Sequence, residues 1–143
     1  MALTRQQAAQ IATLLNQRNQ LVVKYDADRV LEEGGNYLFR TDATGIVVAC
    51  LELKKVQWYQ VEISHVTVAQ AYEGQGLARK LVEEAERAAT ANDARLLQCT
   101  IRDDNIRSKG LFRRCGFSEV SKFYYPVSGN DVTVWQKVVS EAS

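Results

Sequence analysis

The chain has 143 residues, 46% of them apolar and 24% charged, with a formal net charge of +1. That length and mixture suit one compact domain over residues 1–143 with a buried core, and leave no room for a second domain. Acidic and basic residues alternate rather than form blocks, so neither nucleic acid nor an anionic membrane is called for as a partner, while a homodimer stays open. The opening Met1-Ala2-Leu3-Thr4-Arg5-Gln6-Gln7 lacks the apolar centre of a signal peptide, and no apolar run approaches bilayer length, which points to the cytoplasm.

In chain order, Thr4 is placed to cap a helix whose Ala8, Ile11, Leu14 and Leu15 recur at helical spacing. Asp26 is placed to cap a second helix carrying Val30 and Leu31, which Gly34-Gly35 would stop. Residues 37–40 and 46–56 read as strands joined by the turn Asp42-Ala43-Thr44-Gly45, and residues 61–68 as the next strand. A glycine-bearing loop then opens an amphipathic helix over 75–91, with Leu77, Leu81, Val82, Ala85 and Ala89 on one stripe. After it come a strand at Leu96–Arg102, a short helix over 106–115, and strands 117–125 and 132–139 joined across Ser128-Gly129-Asn130-Asp131. Cys50, Cys99 and Cys115 lack metal-ligand spacing beside a single histidine, so they read as buried free thiols and no metal is expected.

The stretch Val68-Ala69-Gln70-Ala71-Tyr72-Glu73-Gly74-Gln75-Gly76-Leu77-Ala78-Arg79-Lys80-Leu81 carries most of the chemistry. A strand, a glycine loop and a helix N-terminus make an anion cradle: glycine lets the backbone come close to a ligand, and the first helical turn presents N–H groups at the positive end of the helix dipole. A phosphate or pyrophosphate fits there. The spacing is not the dinucleotide fingerprint, and the Lys-Ser/Thr pair of a nucleotide-triphosphate loop is absent. A glycine turn is also simply how many α/β proteins reverse direction, so a second block matters. Leu96-Leu97-Gln98-Cys99-Thr100-Ile101-Arg102, then Asp103-Asp104-Asn105, a helix and Gly116-Phe117 supply it.

Together the two blocks resemble motifs A and B of the GNAT superfamily of N-acetyltransferases. Motif A is Gln or Arg, two residues, Gly, one residue, then Gly or Ala; here it reads Glu73, Gly76 and Ala78, with Glu73 a departure. A carboxylate beside phosphates is unfavourable, so its side chain is expected to point away. The resemblance covers nearly the whole chain. It implies an α/β fold of the α+β kind, with a splayed central mixed sheet flanked by helices, although the strand that usually precedes the first helix has no convincing counterpart.

It also implies acetyl-CoA as co-substrate, bound by the backbone of Thr67, Val68 and Ala69 along the pantetheine and by Gly74, Gln75, Gly76, Leu77, Ala78 and Arg79 around the pyrophosphate. Asn105 falls where the side chain commonly holds the pantetheine, and is equally a good helix cap. Arg79, Lys80, Lys109 and Arg113 are candidates for the coenzyme phosphates or for plain surface.

Direct transfer to a primary amine needs a base for the ammonium proton and a way of stabilising the thiolate. Where the ribosomal-protein alanine acetyltransferases carry a Glu and a Tyr, this chain has Thr100 and Phe112, neither able to move a proton. The histone acetyltransferases place a Glu early on the strand before the glycine loop, and Glu62 matches it, making Glu62 the expected catalytic base. An outward surface role for Glu62 and the rival His65 both stay open. In a regular strand Glu62 and His65 face opposite sides unless a bulge intervenes. Tyr72, Tyr124, Tyr125 or water would serve as acid. The acceptor is open between a small amine, a protein N-terminus and a lysine. Thr100, Asp104-Asn105, Ser108 and Leu111-Phe112 resemble the diaminobutyrate type and lean toward a small amine. A catalytically silent acyl-CoA-binding module is the alternative of another class.

Overall fold

The computed structural model describes residues 3–19, 24–32 and 36–139. Helix α1 (Arg5–Arg18) begins at the expected place because Thr4 and Gln7 form a reciprocal capping box. Helix α2 (Ala27–Glu32) starts where the Asp26 carboxylate accepts from the Arg29 amide at 2.8 Å. The expected Gly34-Gly35 stop lies outside the described residues. Strands β1 (Tyr37–Thr41), β2 (Val47–Gln57) and β3 (Gln60–Val68) follow, then α3 (Leu77–Ala91), β4 (Leu96–Arg102), α4 (Ile106–Arg114), β5 (Ser118–Tyr125) and β6 (Asn130–Val138). Among the described residues no strand precedes α1. No described helix is long and apolar enough to cross a membrane.

The six strands form one mixed sheet in the order β1-β2-β3-β4-β6-β5. The β3–β4 pair is parallel, and β1–β2, β4–β6 and β5–β6 are antiparallel. The last two strands do form the expected hairpin, but β6 sits inside the sheet and β5 takes the edge. Helix α3 begins at Leu77 rather than at residue 75, because Gly76 has φ +79, a left-handed backbone that no α-helix contains.

The chain divides into two compact units, Met1–Leu53 with His65–Leu81, and Lys54–Ser64 with Val82–Ser143. In the first, Ala8, Ile11, Leu14 and Leu15 of α1 gather with Val30 of α2, Tyr37 of β1 and Val47 and Cys50 of β2 in one apolar cluster. In the second, strand register separates two sheet faces. Leu97, Cys99 and Ile101 of β4 share a face with Trp135 and Thr133 of β6, and all five are buried. Phe112 of α4 is buried too and packs edge-on against Phe117 at 5.0 Å. Thr133 donates to the Ile101 carbonyl at 2.7 Å and accepts from the Trp135 indole at 2.9 Å, so the polar atoms of this core are satisfied. The opposite face carries Glu62, Gln98 and Gln136 in one row and Thr100 with Val134 in the next; none of these five is fully buried.

Candidate active site

Past Val68 the chain leaves the sheet in a fixed sequence of backbone bonds. The Ala69 amide donates to the Val48 carbonyl at 2.8 Å, and the Ala69 carbonyl accepts from the Tyr72 amide at 2.9 Å, closing a short 3₁₀ turn over Gln70–Tyr72. Gly74 and Gly76 then adopt φ +80 and +79. A Cβ built on either would meet nothing within 4 Å, so it is backbone conformation and not crowding that asks for glycine, and the space above the loop is open to a ligand. Lys80 donates to the Gly76 carbonyl at 3.1 Å, the first bond of α3. The amides of Leu77, Ala78 and Arg79 precede that bond and lie in the turn where a helix has no carbonyls of its own to offer. Open space, two left-handed glycines and a donor-rich first turn fit a pyrophosphate.

Thr67 is buried; its hydroxyl donates to the His65 carbonyl at 2.8 Å and accepts from the Asn19 amide at 2.9 Å, which ties the end of β3 to the end of α1. The Glu73 carboxylate forms an ion pair with Arg18 of α1. That pair answers the objection to a carboxylate in this loop: its charge is balanced by a guanidinium from the same unit.

His65 has φ +56, left-handed and uncommon for a residue with a side chain, so the two-residue alternation along β3 does not run through it. Its Nε2 lies 2.9 Å from the Tyr25 hydroxyl. Asn16 grips the Tyr25 backbone from both sides, accepting from its amide at 2.8 Å and donating to its carbonyl at 2.7 Å, and the Arg29 guanidinium lies 4.1 Å from the ring centroid. In the second unit, Glu62 Oε1 accepts from Gln98 Nε2 at 3.0 Å, and Gln98 Oε1 accepts from Gln136 Nε2 at 2.8 Å. Burial raises the thiol of Cys50 to about 12, and burial with the neighbouring Glu62 and Cys115 raises that of Cys99 as well, so neither is a thiolate nucleophile near neutrality. Cys115, expected to be buried, is only partly so at the C-cap of α4, where its carbonyl accepts from Lys137 Nζ at 2.8 Å.

Residues 6–117 match the acetyltransferase (GNAT) family. The chain belongs to that family. Membership makes it an acetyl-CoA-dependent N-acetyltransferase. Solved GNAT-like folds agree along the whole length. It resembles the ribosomal-protein-S18-alanine N-acetyltransferase of Escherichia coli at 19% identity and TM-score 0.81, covering 100% of this chain and 94% of that one. It also resembles yncA of Salmonella typhimurium, a putative acetyltransferase with its cofactor acetyl-CoA, at 21% identity and TM-score 0.82, again over 100% and 94%. A spermidine N-acetyltransferase chimera of Vibrio cholerae SpeG and hSSAT matches at 18% identity and TM-score 0.76, over 96% and 94%. Similarity at this level speaks for the fold.

Asn105 is the N-cap of α4, its side-chain oxygen accepting from the Ser108 amide at 3.1 Å; its NH₂ points the other way chemically, as a donor, so capping and pantetheine binding do not compete. Thr100 is exposed. Phe112 stands where the family often has its acid, and its place against Phe117 in the core explains why a ring without a hydroxyl suits it. Among the candidate phosphate partners, Lys109 is held on Asp103 at 2.6 Å and Arg113 lies over the Trp135 ring at 5.2 Å, while Arg79 and Lys80 are exposed at the loop. Tyr124 and Tyr125 are exposed on β5, and Tyr72 is partly exposed.

Sequence reading did not find the Arg18–Glu73 pair, the Tyr25–His65 contact or the Gln98–Gln136 link. These join residues 55, 40 and 38 positions apart. The one local signal was the mismatch at Glu73, an acidic residue that needed a cation somewhere.

Proposed function

We propose that this GNAT enzyme is a single domain, residues 1–143, working in the cytoplasm, that moves an acetyl group from acetyl-CoA directly to a small-molecule primary amine, with Glu62 as the base. The observation that carries the base assignment is the hydrogen bond from Gln98 to Glu62 Oε1. A donor on one oxygen holds the carboxylate in one rotamer and leaves the other oxygen's lone pairs to accept a proton, which is the positioning that a base for an ammonium needs. His65, the rival, already engages Tyr25 through Nε2.

Bound acetyl-CoA supplies an activated thioester carbonyl. The backbone of Thr67, Val68 and Ala69 is proposed to receive the pantetheine; both backbone groups of Ala69 already bond within the protein, so its part is limited to the second lone pair of its carbonyl. The loop from Gly74 through Gln75, Gly76, Leu77 and Ala78 to Arg79 is proposed to cradle the pyrophosphate, and Asn105 to donate to the pantetheine. Glu62 takes one proton from the ammonium, the free amine attacks the carbonyl carbon, the nitrogen of the tetrahedral adduct gives up its second proton to solvent as the C–S bond breaks, and solvent returns a proton to the thiolate. The small-amine preference rests on the motif B resemblance to the diaminobutyrate type.

The test is acetyl-CoA consumption across polyamines, amino acids and peptides, followed by chromatography, with wild type beside Glu62→Gln. Loss of about 10²- to 10⁴-fold in turnover with acetyl-CoA affinity retained is expected. Normal turnover by the variant removes Glu62 as base. Thr100 and Phe112, at positions where relatives keep proton-transfer groups, favour a second reading as a silent acyl-CoA-binding module, which binding without turnover on any amine would select.

A further inference from the structure

We infer that Gln98 and Gln136 form an amide relay that positions Glu62, an inference that rests on the reading of Glu62 as base. Strand register brings the three into one row: Glu62 lies beside Gln98 across the parallel β3–β4 pair, and Gln98 beside Gln136 across the antiparallel β4–β6 pair. Cross-strand neighbours project to the same side of a sheet. The two hydrogen bonds of 3.0 and 2.8 Å then run in one direction, from Gln136 Nε2 to Gln98 Oε1 and from Gln98 Nε2 to Glu62 Oε1.

The direction is set by chemistry. An ionised carboxylate only accepts, so Gln98 must turn its NH₂ toward Glu62, and its carbonyl must then find a donor on the other side. Gln136 supplies that donor. Without it Gln98 could rotate its amide by half a turn and set carbonyl against carboxylate, two acceptors facing each other. The relay therefore does two things at once: it fixes the rotamer of Glu62 through a charge-assisted bond, and it denies Gln98 the orientation that would repel the carboxylate. All three side chains are partly buried, where such bonds are stronger than in open water. Neither glutamine bears a proton that the reaction could use, so both are positioning residues.

The test is a double-mutant cycle. Gln98→Leu, of similar size and without the donor, is measured alone and with Glu62→Gln, on the amine of the panel that turns over fastest, with Gln136→Leu as a third variant. The expected result is a kcat loss of about ten-fold for Gln98→Leu, with KM for acetyl-CoA unchanged, and a loss of about three-fold for Gln136→Leu. In the Glu62→Gln background, Gln98→Leu should cost nothing further. A merely structural role would instead raise KM and lower kcat alike and would persist in that background. Impaired Glu62→Gln with normal or fully additive Gln98→Leu overturns the relay and leaves the base reading standing. Normal Glu62→Gln overturns the base reading and the relay with it, as does the absence of turnover on every amine.

Discussion

Between Val68 and Arg79 the proposed coenzyme cradle, in the first unit, is made of backbone: two glycines at φ near +80, a 3₁₀ turn, and the first turn of α3. In the second unit, the row of Glu62, Gln98 and Gln136 is made of side chains, aligned by the pairing of three strands. The first kind of site tolerates change in most of its side chains because the ligand meets amides that every residue carries. Glu73 illustrates this: the family pattern is broken at its first position, and a guanidinium from α1 compensates. The second kind tolerates little, because each group works only through the next. The two regions should therefore fail differently when altered.

The largest effect on the backbone region is expected from Gly76→Val. No atom blocks the new side chain, so the whole penalty falls on a β-branched residue forced to φ +79 or on a loop that shifts to avoid it. Acetyl-CoA affinity, measured by calorimetry, should fall about five- to thirty-fold, corresponding to the ~1–2 kcal/mol by which a left-handed backbone disfavours a side chain. The helical signal in circular dichroism should stay, since α3 begins one residue later. Unchanged affinity would mean that the loop does not hold the coenzyme. Gln98→Leu should show the converse, a fall in kcat with coenzyme affinity intact.

The same contrast explains what could be read in advance. The cap at Thr4, the strand Leu96–Arg102 and the glycine loop are encoded by neighbours in sequence, through capping, alternation and φ preference, and they are found within a residue or two of their expected positions. Glu62 was legible as a candidate, but its partners were not, because Gln98 and Gln136 meet only once β6 is inserted between β4 and β5. The left-handed backbone at His65 was not legible either: its carbonyl accepts from the Thr67 hydroxyl two residues on, but its ring meets Tyr25 from 40 positions away.

A smaller effect separates charge from backbone within the loop itself. Arg18→Ala removes the guanidinium paired with Glu73, whose carboxylate lies in the loop that carries the proposed pyrophosphate site. Repulsion of about 0.5–1 kcal/mol between partly solvated charges gives a two- to five-fold loss of acetyl-CoA affinity. The loss should shrink at high salt, and Glu73→Gln added to Arg18→Ala should restore binding, because the backbone donors are untouched. Failure of that second change to restore affinity would assign Arg18 a direct part in binding instead.

The smallest effect belongs to the turn that carries Asn105. Asp103 accepts from Lys109 at 2.6 Å and pairs with Lys122 at 2.8 Å, and these two ammonium groups hold its carboxyl down at about 2. A carboxyl held lower in the folded protein than in the unfolded chain contributes stability above the ordinary carboxylate value, and that contribution fades as pH falls toward about 2. Asp103→Asn lacks the charge at every pH. The Tm difference between wild type and variant should therefore be constant above about pH 5 and close progressively between about pH 4 and pH 2. Because Lys122 is half exposed, the difference should be modest. A gap that persists unchanged to pH 2 would mean that the Asp103 side chain acts through neutral hydrogen bonding and not through its charge, and the turn presenting Asn105 would then owe its shape to the backbone bonds from the Asp103 amide to the Asp131 carbonyl and from the Asn105 amide to the Arg102 carbonyl, each 2.9 Å.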